Sequence, residues 1–405
     1  MPITINGSSG IVGANGSVTF PALTGADIDT GVFFPEANVV AFSTGSVESF
    51  RANANGIFAT ANVNVTNLNA TNLTATNVIP TSSYLRNRII NGDMRIDQRN
   101  AGVSVTPANL QYTVDRWQAQ LTQTSKFTAQ QNAGSVTPPV GYSKYLGITS
   151  SSAYSVLTGD YFALLQGIEG FNTDDLAWGT ANAKTVTLSF WVRSSLTGTF
   201  GGAISGGPQS YPFTYTISSA NTWEQKSITI AGSTSGSWAT NNTASMYVSF
   251  SLGVGTTYSG TAGAWSNTFY FSATGATSVV GTSGATFYVT GVQLEVGTVA
   301  TPFERQIYGT QLAQCQRYYQ QHASSGNGAI FRGLPQTLTS GTTYAWMPFA
   351  VVTRAVPTMT VGTPSYTNMS GASWANINLA GAEIGITVTG TNSYAFIPWT
   401  ASAEL

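Results

Sequence analysis

Apolar and polar residues alternate along the middle of the chain. The pattern recurs at residues 185–192 (TVTLSFWV), 227–230, 246–252, 269–271 and 286–290, with Gly-, Ser- and Asn-rich stretches between. A period of two sends successive side chains to opposite faces of a strand. Many short strands separated by turns predict an antiparallel β-sandwich of jelly-roll type over residues 84–303. Trp117, Trp191 and Phe250 fall in this pattern and are expected in its core. One helical turn is expected at residues 174–178. Residues 1–60 hold shorter apolar pieces broken by Gly and Asn. They predict strands too few for a core of their own, stable only in an oligomer or on a partner.

The pattern changes twice more. Residues 61–80 repeat a five-residue unit four times, as ANVNV, TNLNA, TNLTA and TNVIP. One aliphatic side chain per five cannot build a core within one chain, so the segment must coil as a solenoid or wrap around copies of itself. Four units make only about one solenoid coil, whereas a three-fold stalk closes layer by layer; a trimeric stalk over residues 61–83 is the expectation. Farther on, Leu312, Cys315 and Tyr319 form a helical stripe, which predicts a helical linker over residues 304–322. Residues 323–405 return to strand patterns at 344–352, 358–361, 384–389 and 394–399, punctuated by Pro348, Pro357, Pro364 and Pro398. They predict a smaller C-terminal β-sandwich. The fold class is all-β.

Only 8% of the residues are charged, while 42% are hydrophobic and 12% aromatic. That excludes a disordered chain and suits a rigid β-rich structural protein. With 15 basic and 16 acidic residues, nothing steers the chain to nucleic acid. Arg86, Arg88, Arg95 and Arg99 interleave with Asp93 and Asp97, which reads as paired charges at a domain entrance, with a phosphate or anionic-glycan contact as the alternative. Cys315 is the only cysteine, so no intrachain disulfide forms. The first residues lack a basic secretory n-region, and no apolar run is long enough to span a membrane. Synthesis in a cytoplasm and work outside it is the expectation.

Candidate chemistry is sparse. His322 is the only histidine, and its place after Gln320 and Gln321 suits a solvated or capping role. Two carboxylate pairs, Asp174–Asp175 and Asp93/Asp97, could serve as acid and base in glycan cleavage, but Arg99 near Asp97 and Arg116 beside Asp115 favour ion pairing and capping over the acid–base pair of a glycosidase. Cys315 reads as a small buried hydrophobe. No catalytic residue, metal ligand set or cofactor is assigned. Trp238, Tyr258, Trp265 and Trp374 differ: they lie in Gly/Ser-rich stretches, where a ring can present an apolar face to a sugar beside Asn, Ser and Thr. The other reading folds these rings back onto the sandwich or a neighbouring subunit.

Residues 87–102 (NRIINGDMRIDQRNAG), 112–117 (YTVDRW), 291–305 (GVQLEVGTVATPFER) and 316–319 (QRYY) resemble segments of tail-fibre proteins of tailed bacteriophages, cyanophage fibres in particular. The entry segment is also similar to the first strand of jelly-roll carbohydrate-binding modules. The resemblance covers residues 84–322. It implies a non-enzymatic virion fibre, a homotrimer attached to the particle through residues 1–60, that binds host surface glycan during adsorption. A head-decorating fibre or a polysaccharide-degrading tailspike remains the alternative. In the modules, an acidic residue after Asn-Gly and an Asp near the last strand hold calcium; Asp93 matches the first, but Thr290 stands where the second is expected.

Overall fold

The computed structural model describes residues 4–6, 10–12, 15–59, 86–322, 331–332 and 340–405. The five-residue repeat and the stalk expected over 61–83 lie outside the described residues. Among those described, strands dominate and one α-helix is present. The chain divides into two compact units, residues 1–78 and 79–405.

Besides the antiparallel pair Thr4–Asn6 and Gly10–Val12, the first unit contains a five-stranded antiparallel meander. Its strands Leu23–Thr24, Gly31–Phe33, Val40–Thr44, Val47–Asn53 and Gly56–Ala59 pair in chain order. Phe33, Val39 and Ala41 are buried, and Phe42 meets Phe50 edge-on at 5.4 Å. Yet Phe20, Leu23, Ile28, Val47, Ile57 and Phe58 are exposed. A single sheet has two faces and needs a second layer to bury either.

The second unit is built on a sandwich of eleven strands. They are β1 (Gln111–Val114), β2 (Trp117–Leu121), β3 (Phe127–Gln131), β4 (Leu146–Ser150), β5 (Tyr161–Glu169), β6 (Val186–Ser194), β7 (Gly198–Gly206), β8 (Gln209–Ile217), β9 (Glu224–Ile230), β10 (Ala244–Val254) and β11 (Thr286–Val296). One antiparallel sheet runs β3-β4-β11-β6-β9 and the other β8-β7-β10-β5-β2-β1. The chain crosses the core repeatedly between them, in the manner of a jelly roll. Alternate residues of both sheets fill the interior. Val186, Leu188, Phe190 and Val192 of β6 share one core with Phe250 of β10, with Phe190 and Phe250 edge-on at 4.9 Å. Trp117 and Phe250 lie in the core as expected. Trp191 does not: sitting between inward Phe190 and Val192, it must face outward, and it is only half-buried.

Residues 87–97 explain the longest sequence motif. They plug one end of the sandwich by knitting onto β11. Arg88 N–H donates to the Leu294 carbonyl at 2.9 Å, and Val292 N–H to that of Gly92 at 2.9 Å. The Asn87 side chain accepts from Leu294 N–H and donates to the Val292 carbonyl. Asn91 adopts a left-handed conformation (φ 57°), and its buried amide donates to the Ile96 and Asp115 carbonyls.

Helix α1 (Tyr308–Gln316) follows the sandwich. It begins earlier than its apolar stripe suggests, and Tyr319 and His322 belong to the strand Tyr319–His322 instead. Cys315 is buried, and burial holds its thiol well above the usual value. His322 is exposed and lies parallel to Trp399 at 6.4 Å. The last part of the chain forms small three-stranded sheets around two small cores. One contains Ile384, Ile386 and Val388, the other Phe349, Trp399 and Ala401.

Charges clasp this module to the sandwich. Arg116 is fully buried, pairs with Glu404, donates to the Gly167 carbonyl at 2.7 Å and stacks on Tyr318 at 3.6 Å. Arg99 reaches Glu404 at 2.9 Å and Asp115 at 3.7 Å. Arg354 donates to the Ala403 and Glu404 carbonyls, each at 2.7 Å. Arg317 grips buried Glu169 with two hydrogen bonds. Burial pushes the Asp115 carboxyl from its ordinary 3.8 up to about 6, despite opposing contributions from Arg99 and Gln98. The folded state therefore holds this proton more tightly than the unfolded chain does. Its contribution to stability is full below the ordinary value and falls as pH rises through about 6. Denaturant unfolding at about pH 5 and about pH 7 should show that downward slope in the native chain and a flatter one in Asp115→Asn.

Candidate functional site

The structure brings two of the four candidate aromatics together. Loop residues 231–241 and 261–268 carry Trp238 and Trp265 to one end of the sandwich, beside the turn between β7 and β8. There they meet Trp178. The three indoles stand edge-on to one another, with centroids 4.9 Å (Trp178–Trp238), 5.4 Å (Trp178–Trp265) and 5.7 Å (Trp238–Trp265) apart. Tyr211 of β8 joins at 5.4 Å from Trp265. Each indole N–H donates to a backbone carbonyl: Trp178 to Lys184, Trp238 to Ser235 and Trp265 to Ala231. These bonds lock the orientation of each ring. Trp178 is buried, whereas Trp238, Trp265 and Tyr211 keep part of their surface in solvent.

A polar rim stands beside the rings. Buried Gln209 donates to Ser235 Oγ at 2.8 Å and to Asn267 Oδ1 at 2.9 Å, and accepts from the Ser233 hydroxyl. Thr234, Ser235, Ser237 and Asn267 are exposed around it. The backbone at Gly207 lies against the Trp238 ring (φ 60°), a close approach open to a residue with no Cβ. The result is a fixed aromatic floor bordered by hydroxyls and an amide. This surface can stack an apolar ring face and exchange hydrogen bonds at its edge.

The other two candidates lie elsewhere. Tyr258 ends the 3-10 turn Thr256–Tyr258, and its ring meets Tyr161 at 5.1 Å and Phe271 at 6.1 Å. Trp374 packs against both small cores of the C-terminal module and meets Trp399 at 6.4 Å. Trp178 and Tyr211 are the members that sequence reasoning missed. Trp178 sits after a 3-10 turn at Asp174–Leu176, and no local pattern connects it to residues far along the chain.

Three of the four carboxylates considered for acid–base work hold other partners, and Asp174 is exposed on the 3-10 turn beside Asp175. Asp93 is buried, ion-paired with Arg95 at 2.6 Å, and accepts from Gln311 at 2.8 Å. Asp97 accepts from the Asn100 and Gly102 N–H groups. Asp175 pairs with Arg88 at 2.7 Å and lies 3.9 Å from Lys184. The Thr290 hydroxyl donates to the Lys144 carbonyl. One carboxylate so occupied is a poor fit to calcium, which takes six to eight oxygens.

Neither protein families nor curated proteins yield a match to this sequence. Solved structures whose backbone matches part of this chain include the enzymatically active domain of bacteriophage CBA120 tailspike protein 4 (13% identity, 52% of this chain and 22% of that chain, TM-score 0.29). Another is a family 11 carbohydrate-binding module from Clostridium thermocellum in complex with a mixed-linked tetrasaccharide (11%, 51% and 99%, TM-score 0.26). A third is the N-terminal cellulose-binding domain of a β-1,4-glucanase from Cellulomonas fimi (13%, 43% and 90%, TM-score 0.24). The chain thus spans about a fifth of the tailspike domain and nearly all of either binding module.

Proposed function

We propose that this chain is a non-enzymatic virion fibre that binds host surface glycan during phage adsorption. The observation that carries the binding role is the sandwich-end surface, where Trp238 and Trp265 are held at fixed angles beside the Gln209–Ser235–Asn267 rim. The motifs at residues 87–102 and 291–305 support the fibre role. The chain works as a homotrimer docked on a virion protein through residues 1–60, with a stalk at 61–83, the sandwich at 84–303, the linker at 304–322 and a distal tip at 323–405. The exposed apolar residues on the N-terminal meander support a partner there. Three identical heads on one stalk turn weak sites into avid binding on a repetitive polymer.

Purified full-length protein should block adsorption of parental virions to host cells in a saturable way. The Trp238→Ala, Trp265→Ala double variant should need at least roughly tenfold more protein for the same block, as expected when stacking rings are lost. Unfolding curves for both proteins show whether the loss lies in binding or in folding. No blocking by a confirmed trimer would point instead to a structural, head-decorating fibre. A stable monomer in light scattering would remove the stalk from the reading.

A further inference from the structure

A second aromatic surface lies on the C-terminal module, built from residues that the sandwich-end surface does not use. Strand Gly341–Pro348 pairs with Gly381–Val388, which in turn pairs with Met369–Ala375. Ala345 and Met347 face the small core, so Tyr344 and Trp346 face outward. Both stay open, at 60% and 47% exposure. Their cross-strand partners are Gly385 and Glu383, and Pro348 opposes Gly381. A Cβ added at Gly385 would stand 2.8 Å from the Tyr344 ring, and one at Gly381 would stand 2.5 Å from the Trp346 ring. The rings therefore lie down across a glycine backbone. Gly381 and Gly385 are themselves buried, which fits rings that cover them from above.

We propose that this face is a second glycan-binding site, selective for neutral pyranose residues. Two rings flat on a sheet, about 7 Å apart along one strand, present π faces to the C–H face of a sugar ring. The rest of the face offers hydrogen bonds. Thr342, Thr387 and Ser370 form one cross-strand row, and Ser373 lies beyond Gly385. Glu383 lies between Trp346 and Ala375, with its carboxylate accepting from Asn376 at 2.6 Å. A carboxylate is a strong acceptor for sugar hydroxyls. Among the described residues of these rows there is a carboxylate and no Lys or Arg, so an anionic polymer meets repulsion instead of a counter-charge. The charge pattern selects a neutral glycan as the occupant.

The test uses the full-length protein on an array of β-glucan, mannan, galactan and dextran oligosaccharides, with hyaluronan and polygalacturonate oligosaccharides as the acidic set. Wild type should bind neutral members in preference to acidic ones. The Tyr344→Ala, Trp346→Ala double variant should lose at least roughly tenfold in affinity, while Trp346→Phe keeps most of it. Gly385→Ala keeps both rings but lifts Tyr344, and should lose several-fold. Binding to no neutral oligosaccharide overturns the proposal. So does binding that survives loss of both rings but disappears in the Trp238→Ala, Trp265→Ala variant, which would favour the sandwich end alone. A fall in sedimentation mass in the Tyr344→Ala, Trp346→Ala variant would show a second copy of the chain on this face and overturn it as well.

Discussion

Arg116→Ala is expected to destabilise the second unit by roughly 3–5 kcal/mol, the cost of breaking a buried ion pair from one side. The guanidinium is fully buried between Glu404, the Gly167 carbonyl and the Tyr318 ring. Its loss strands the Glu404 carboxylate beside Asp115, with Arg99 left to serve both. Backbone strain does not enter, because Arg116 already has φ 70° and alanine carries the same Cβ. Denaturant unfolding measures the change. Glu404→Ala should cost a similar amount, and the double variant much less than the sum, since each single change removes the same pair. A cost below about 1 kcal/mol, the size of a surface pair, would show that the C-terminal residues do not clasp the sandwich. The clasp fixes the C-terminal module against the sandwich, since Arg116 belongs to one and Glu404 to the other.

The second large effect is expected from the smallest change, Gly92→Ala. The new Cβ would stand 2.1 Å from the Val292 carbonyl oxygen and 3.3 Å from the Phe303 ring. Both the glycine and the carbonyl belong to backbone held on two sides, so neither yields without breaking bonds. Those at risk are Val292 N–H to the Gly92 carbonyl, Arg88 N–H to the Leu294 carbonyl, and the pair made by the Asn87 side chain. A loss of about 3 kcal/mol or more is expected, read as a lowered unfolding midpoint. Gly309→Ala provides the contrast. It lies in α1 with nothing within 4 Å of the added Cβ, and should be neutral or stabilising by up to about 1 kcal/mol. An equal response to both substitutions would sink the claim that the entry segment seals the sandwich by backbone contact.

The candidate surface was legible only in part. Trp238 and Trp265 stood out because a large ring in a Gly/Ser-rich stretch has no strand to explain it. Their meeting with Trp178 depends on how three loops converge, which no local pattern encodes. Trp374 shows the opposite effect. The pairing of its strand shifts register between Ser370 and Ser373, and a bulge changes which side chains face the core. Tyr344 and Trp346 carried a usable signal in their two-residue spacing, opposite in parity to Ala345 and Met347. Their importance emerges from Gly381 and Gly385 on a different strand.

By itself the sequence determined the all-β class, the sandwich and the helix before the last module. Those follow from side-chain period, turn residues and charge scarcity, which act over a few residues at a time. Trp191 was predicted inside yet faces out, although its place between Phe190 and Val192 already held the answer. Strands such as β7, with four glycines in nine residues (GTFGGAISG), were hidden because their stability comes from neighbours in the sheet. Only the tertiary structure decided which aromatics gather, which arginines pair with Glu404, and which rings lie on glycine. Each of these joins residues far apart in the chain, and their free energy depends on burial and contact geometry that arise only when the sheets close on one another.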